Sequence, residues 1–436
     1  MTSKAAGGRM VVLLCAFLLA LGAVEAATYS ATPSDYLVLL RKLHPGDTLK
    51  LAPGIYREGL PLHGINGAAG NPIIIRGSRD APTTLVAQAK ANTISIVNSS
   101  HIEVLDLVLD GDGRFVDAVK AEGHSSWAAY ITLDGLTIHR YGAYQQIVGI
   151  STKCPAWGWV IRNNVIIGAG AGMYLGQSDG SAPFVAGVIE RNLIVNSIGY
   201  NLQIKHQDER PRIDGMPEET SVTIIRHNVF TKSTNSSRGK LARPNVLVGH
   251  FPPFGAGAED TYAIYGNFFY QNPSEALFQG EGNIGFYSNV LVNTLGDAIN
   301  IQAHYAVPRR IQVFHNTVLA ANTGVRVSGG DPAHLQEVTA NAVFASAPMI
   351  GGEQYANITG TLAEAAEHIV EPYAPVGRLD LAPRPGKLIT TPFKLLQQTP
   401  LPDLNRDFDG RVYLRPMTGA YAGEGAIWRL QIERKR

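Results

Sequence analysis

Cysteine is nearly missing: Cys15 and Cys154 are the two in 436 residues. Cys15 falls in a leader-like segment, so the remaining chain can form no intramolecular disulfide and no multi-cysteine metal site. Packing and hydrogen bonds must hold the fold, and a lone thiol beside Pro155 reads as structural rather than nucleophilic. Charge is sparse too, at 17% of residues against 45% hydrophobic. Neither a disordered nor a fibrous composition results, and the length suits one large domain or two to three ordinary ones.

The apolar run from Met10 to Val24 is short for a membrane span, follows Lys4 and Arg9, and ends in Val24-Glu25-Ala26, which suits cleavage before Ala27. It reads as a signal peptide over residues 1–26, with an uncleaved anchor as the alternative. A secreted or periplasmic chain is expected, with no stable membrane anchor after its removal. Of the 37 Lys and Arg and 36 Asp and Glu, Lys4, Arg9 and Glu25 lie in this leader, so the remainder carries no formal net charge. No global field pulls it toward nucleic acid, and affinity for an anionic polymer must come from a local patch.

Long helices are lacking as well. Residues 36–56 (YLVLLRKLHPGDTLKLAPGIY) predict a helical turn or two followed by a turn, a short strand and a second turn. From Ile73-Ile74-Ile75 to about residue 348, short strands and turns alternate, which predicts an all-β body.

That body repeats. LDLVLDG at Leu105, LDGLTIH at Leu133, RNNVIIG at Arg162, ERNLIVN at Glu190 and their successors align Asp106, Gly135, Asn164, Asn192, Asn228, Asn267, Asn289, Asn316 and Asn341 in one column, at uneven separations. Variable periods suit a solenoid whose coils tolerate insertions. A corner Asn that adopts a left-handed conformation and bonds its neighbours' backbone explains the column structurally. After residue 348 the prolines become too dense for coils. Residues 27–348 are therefore expected to form the solenoid with its helical cap, and residues 349–436 an extended Pro-rich flank and closing cap.

The opening GDTLKLAPGIY, the strand GNPIIIRGS, the Asn coils and the closing DFDGRVYLRPMTGAY together resemble secreted right-handed parallel β-helix proteins of the pectin-lyase-like superfamily, over roughly residues 36–422. The opening segment is especially similar to that of the polysaccharide lyase family containing chondroitinase B and alginate lyases. The resemblance implies a right-handed parallel β-helix that acts on an acidic polysaccharide, often with calcium at the substrate carboxylate; a monomer is expected.

The strands that open each coil supply a second set of columns. Val119, Ile150, Met173, Leu202, Val246, Leu277, Ile299 and Val325 are expected to point inward. Lys120, Ser151, Tyr174, Gln203, Leu247, Phe278, Asn300 and Arg326 then point outward. A further outward column holds Glu122, Lys153, Gly176, Lys205, Gly249, Gly280, Gln302 and Ser328, with His206, His250 and Glu281 one residue on. At about 4.8 Å per coil, Lys153 and Lys205 would stand roughly 10 Å apart, and His206 and His250 would be neighbours. Insertions between Ile204 and Asp260 add Arg210, Arg212, Arg238, Lys240 and Arg243 as a basic wall.

Eliminative cleavage of a uronate chain needs a base for the C5 proton, a cation on the carboxylate and an acid for the leaving oxygen. The columns and the resemblance together cast Lys205 as base, Arg210 or Arg212 on the carboxylate and His206 or His250 as acid. Lys153, Tyr174, Gln203, Phe278, Gln302 and His304, with Arg238, are the candidate substrate-binding residues. Tyr174, Phe278 and Tyr305 are either sugar platforms or a stack within the solenoid. The Asn-Glu-Glu calcium set of the chondroitinase B group and the clustered aspartates of calcium-dependent pectate lyases find no matching motif, which leaves Glu122, Asp179 and Glu281 as the acidic residues from which metal ligands could be drawn. The paired aspartates of polygalacturonase-type hydrolases are missing as well. A uronan C5-epimerase or glycoside hydrolase on the same face, and a non-catalytic glycan-binding protein, are the alternatives. Asn98, Asn235 and Asn357 lie in glycosylation sequons.

Overall fold

The computed structural model describes residues 2, 26–395 and 401–435. The expected leader lies outside them but for Thr2 and Ala26. Short strands wind into three parallel sheets of fifteen, twelve and eleven strands; the early ones alternate buried and less buried residues, as Ile73–Arg76 does, while later ones such as Thr261–Tyr265 are buried throughout. Each coil gives one strand to each sheet, so sheet neighbours come from successive coils: Thr137–His139 pairs with Val165–Ile167, which pairs with Leu193–Val195. This is a parallel β-helix. Its three inner faces meet in one continuous core that runs from Leu49 and Tyr56 to Val338 and Val343.

The eleven-stranded sheet, from Leu60–His63 to Ala347–Ile350, carries the expected outward columns and is called the cleft sheet below. The last strand of the solenoid is Ile358–Gly360, so the coils run past the expected boundary at 348. At the other end the helix Tyr36–Leu40 turns Tyr36 and Leu40 into the core, and the Tyr36 hydroxyl donates to the Gly59 carbonyl at 2.7 Å.

The asparagine column is a buried ladder. Asn267 shows the unit: its Oδ1 accepts from the Asn228 N–H and side-chain amide at 2.9 and 3.0 Å, and its Nδ2 donates to the Ile225 carbonyl at 2.8 Å and to Asn289 Oδ1 at 3.0 Å. Two expectations need correction. The left-handed residue of each corner is the one before the ladder Asn (Asn163, Arg191, His227, Ser288, His315), because the Asn side chain has to turn inward along the stack. Asp106 and Gly135 belong to that left-handed set, with φ of 56° and 71°, while Leu107 and Leu136 occupy the ladder position. The ladder also continues to Asn357, whose Nδ2 donates to the Val338 carbonyl at 2.8 Å, so this sequon side chain is taken up by the fold.

Beyond Gly360 the chain packs along the outside of the coils. Leu381, Leu388, Phe408, Met417 and Tyr421 cover an outer apolar face that includes Val229, Phe268, Val290 and Leu319. Leu401 covers the stack of Tyr265, Tyr287 and Phe314. In the closing DFDG turn, Asp407 accepts backbone N–H groups from Asp409, Arg411 and Ala422 at 2.7–2.9 Å. Among the described residues no helix is long and apolar enough to cross a membrane.

Candidate active site

Register decides which side chains meet. Along the cleft sheet, Lys120, Ser151, Tyr174, Gln203 and Leu247 are successive partners, as expected, but the next is Gln279 rather than Phe278. Phe278 pairs with Val246 and Ile299 in the inward column, is fully buried, and therefore binds no substrate. Leu277 and Phe278 are both apolar and both buried, so alternation could not choose between them. The same shift brings Glu281 into the column of Lys153, Lys205 and Gly249. Each of these four donates its N–H to the preceding coil, at 2.7–3.1 Å.

A cleft of about 690 Å³ lies over these columns. Lys120, Lys153, Lys205 and Arg243 supply its cations, and Tyr174, Tyr200 and Tyr305 its aromatic walls. The insertion 239–243 forms one side, tied to the opposite loop by Gln145 Nε2 donating to the Leu241 carbonyl at 3.0 Å. Gln203 lies on the floor with its Oε1 buried and unpartnered. His304 lines the cleft, whereas Gln302 and Arg238 are exposed outside it.

The lysines are desolvated. Lys153 is pushed down to about 7 by burial and then by the neighbouring Lys120, and its Nζ sits 3.4 Å over the Tyr174 ring. Lys205 is 7% exposed, and burial lowers its pKa against the opposing pull of Glu281 and Asp208. Its Nζ lies 4.9 Å from the centre of the Tyr305 ring. The Tyr174 phenol is raised by burial and stays protonated at neutral pH. Glu281 holds the turn that carries Tyr305 by accepting the N–H groups of His304, Tyr305 and Ala306 at 3.0, 2.9 and 3.1 Å.

At the Lys205 end, His206 and His250 stack with ring centres 5.1 Å apart, and Tyr305 lies 4.5 Å over the other face of His206. Gly249 allows this approach, since a methyl there would fall 2.3 Å from the His206 backbone N. Burial, and then Lys205, lower the pKa of His206. Asp208 places Oδ1 3.9 Å from His206 Nε2 and 3.8 Å from His250 Nε2. Its alternation with the two histidines is visible only once the coils are stacked.

The two arginines part company. Arg210 is buried, paired with Asp260 and bonded to the Pro217 carbonyl at 3.0 Å, so it cannot reach a carboxylate in the cleft. Arg212 is exposed and lines a separate pocket of about 530 Å³ with Asp208, Glu209 and Phe254.

Calcium asks for six or more oxygen ligands. Glu122 already accepts from Asn92 and Ser95 at 2.8 and 2.7 Å, Asp179 from Ser181 at 2.6 and 3.0 Å, and Glu281 from three backbone groups. Among the described residues these three carboxylates form no group close enough to share a metal ion. Among the described residues, the one group of three His, Cys, Asp or Glu ligand atoms close enough for a metal is His206, Asp208 and His250. Two imidazoles and one carboxylate do not fit calcium.

Fold and site thus define a parallel β-helix with a cationic, tyrosine-walled cleft on one sheet. No family model matches the chain, and no curated protein matches it. Among solved structures it is similar to an alginate lyase from Paenibacillus sp. str. FPU-7, at 18% identity over 77% of this chain and 98% of that one, with a TM-score of 0.48. It is also similar to pectate lyase Pel9A (11% identity, 92% and 96% covered, TM-score 0.46) and to a GH136 lacto-N-biosidase from Eubacterium ramulus (10% identity, 77% and 68% covered, TM-score 0.43). At such identities any likeness is one of fold alone.

Proposed function

We propose that the chain is an extracytoplasmic lyase that cleaves a uronate-containing polysaccharide by β-elimination. The observation that carries this reading is the pair of desolvated lysines, Lys153 and Lys205, with a protonated tyrosine between them in one open cleft of a neutral protein. Burial lowers the pKa of Lys205 and so favours the neutral amine, the form that can act as a base. Neutral Lys205 Nζ takes the C5 proton, the C5–H electrons form the C4–C5 double bond, and the C4–O bond breaks. The leaving oxygen takes its proton from the Tyr174 hydroxyl, on the strand paired with that of Lys205. Tyr174 serves here rather than His206 or His250, whose Nε2 atoms turn toward Asp208. Lys120, Lys153 and Arg243 attract the carboxylates, and Gln203 Oε1 is left to accept from a sugar hydroxyl.

Alginate, pectate and glycosaminoglycans, each incubated with the protein, test this. One of them is expected to yield the ultraviolet absorbance of an unsaturated uronate, lost in Lys205→Ala and in Tyr174→Phe. Shortening of the polymer without that absorbance would point to a hydrolase, C5 proton exchange without shortening to an epimerase, and retention without change to a binding protein. Full activity in Lys205→Ala would remove the base assignment.

A further inference from the structure

Asp208 Oδ1 and the Nε2 atoms of His206 and His250 converge just beyond Lys205. His250 Nδ1 lies 2.9 Å from the Phe251 carbonyl, a contact only an N–H can make favourably, so Nδ1 carries the hydrogen and donates it. In the neutral ring Nε2 is then a bare lone pair, and it faces Asp208 Oδ1 at 3.8 Å. His206 Nε2 faces the same oxygen at 3.9 Å. An imidazole whose far nitrogen is anchored to a backbone carbonyl is the usual arrangement of a metal-bound histidine, because the anchor sets the tautomer and aims the ring. His206 is fixed differently, between the His250 and Tyr305 rings, and its buried Nδ1 has no hydrogen-bond partner.

We propose that His206, Asp208 and His250 bind one divalent transition-metal ion of the zinc class. All three ligand atoms lie within 4.8 Å of one another. Ligand bonds of about 2.0–2.1 Å in a tetrahedron require donors roughly 3.3 Å apart, so each Asp208–His pair, at 3.9 and 3.8 Å, closes by about half an ångström and the two ring nitrogens by at most about 1.5 Å. Asp208 is exposed and can make its part of that closure, while the two rings must draw together for the rest. Imidazole donors select zinc, cobalt, nickel or copper over calcium and magnesium. Three protein ligands leave the fourth position open, as in sites where a metal meets water or substrate. Lys205 precedes His206 in the chain, so a metal here would draw a uronate carboxylate to the base. That role rests on the lyase reading; the site itself does not.

The test uses the full untagged chain, freed of metal with a chelator and titrated with Co2+ while visible d–d absorption is followed. One equivalent is expected to bind, to be displaced by Zn2+ and to be unaffected by millimolar Ca2+. His250→Gln and Asp208→Asn are each expected to weaken binding at least about tenfold. The exposed position of Asp208 makes its variant the safer one for folding, and unchanged thermal unfolding of the metal-free variants verifies it. No saturable Co2+ uptake, or uptake unchanged in both variants, overturns the site. Co2+ uptake without cleavage of any polymer upholds the site and removes the lyase reading. Cleavage by a protein that takes up no Co2+ does the reverse.

Discussion

Arg210 and Arg212 stand two residues apart in the densest charged stretch of the chain, yet they have opposite fates. Arg210 is enclosed with Asp260, and burial holds that carboxyl above its usual range despite the guanidinium beside it. Removing the arginine would leave an unpaired buried carboxylate, so Arg210→Ala is expected to cost about 3–5 kcal/mol in denaturant unfolding. Arg212→Ala, at an exposed position, should change stability by no more than about 0.5 kcal/mol. Residue type and spacing reveal charge density but not direction, so a sequence could locate this loop without separating its arginines. Lys153 supports a second expectation. With its pKa near 7 it is a cation below that pH and neutral above it, so the cleft should hold an anionic polymer more weakly as pH rises from 6 to 8. Lys153→Arg, charged throughout, should flatten the rise of KM over this range. A KM that rises equally in the variant would assign that titration to another group.

At the scale of the element, the β-helix was legible because its two signals are periodic and independent. Strand alternation identified the inward column at every coil but one, and the recurring Asn located the corners. Where alternation failed, at Leu277-Phe278, both residues are buried, and only pairing with Val246 and Ile299 sets the register. The early corners were misaligned for a related reason: Asp106 and Gly135 suit a left-handed backbone as well as any Asn, while the true ladder positions there hold leucine. The cleft's lysines follow from the columns, but the turn carrying Tyr305 and its anchoring by Glu281 do not, since they depend on a contact between coils. The ladder can be tested directly. Asn267→Ala removes the acceptor of the Asn228 N–H and the donor to the Ile225 carbonyl, both inside the core. With each orphaned group costing about 1–3 kcal/mol, the variant should lose about 2–6 kcal/mol in denaturant unfolding. A loss below about 1 kcal/mol would mean the ladder records register without supporting it.

At the scale of the whole molecule, the C-terminal segment packs against His315 and His227 of the solenoid and buries its own Lys435. His315 stacks on Tyr413 with ring centres 4.2 Å apart, and Lys435 donates to the Gly266 carbonyl at 3.0 Å. Burial lowers His315 to about 4, His227 to about 3 and Lys435 to about 7, and it likewise lowers Lys232, which donates to the Arg243 carbonyl away from that segment, to about 7. In every case the folded state binds fewer protons than the unfolded chain, so stability rises with pH between the folded and the unfolded pKa. For the histidines that window runs from about 3 or 4 to the ordinary 6.5, and for the lysines from about 7 to 10.5. The thermal midpoint is therefore expected to climb from pH 4 to pH 6.5 and again above pH 7. Buried phenols oppose it above pH 10: Tyr36 and Tyr265 are raised to about 12, and their stabilising neutral forms are lost as pH passes from 10 to 12. His315→Asn keeps the left-handed backbone, at φ 53°, and removes the titrating group. Scans of the wild type and this variant from pH 4 to 7 should show a shallower slope in the variant; equal slopes would place the acid sensitivity elsewhere than at His315.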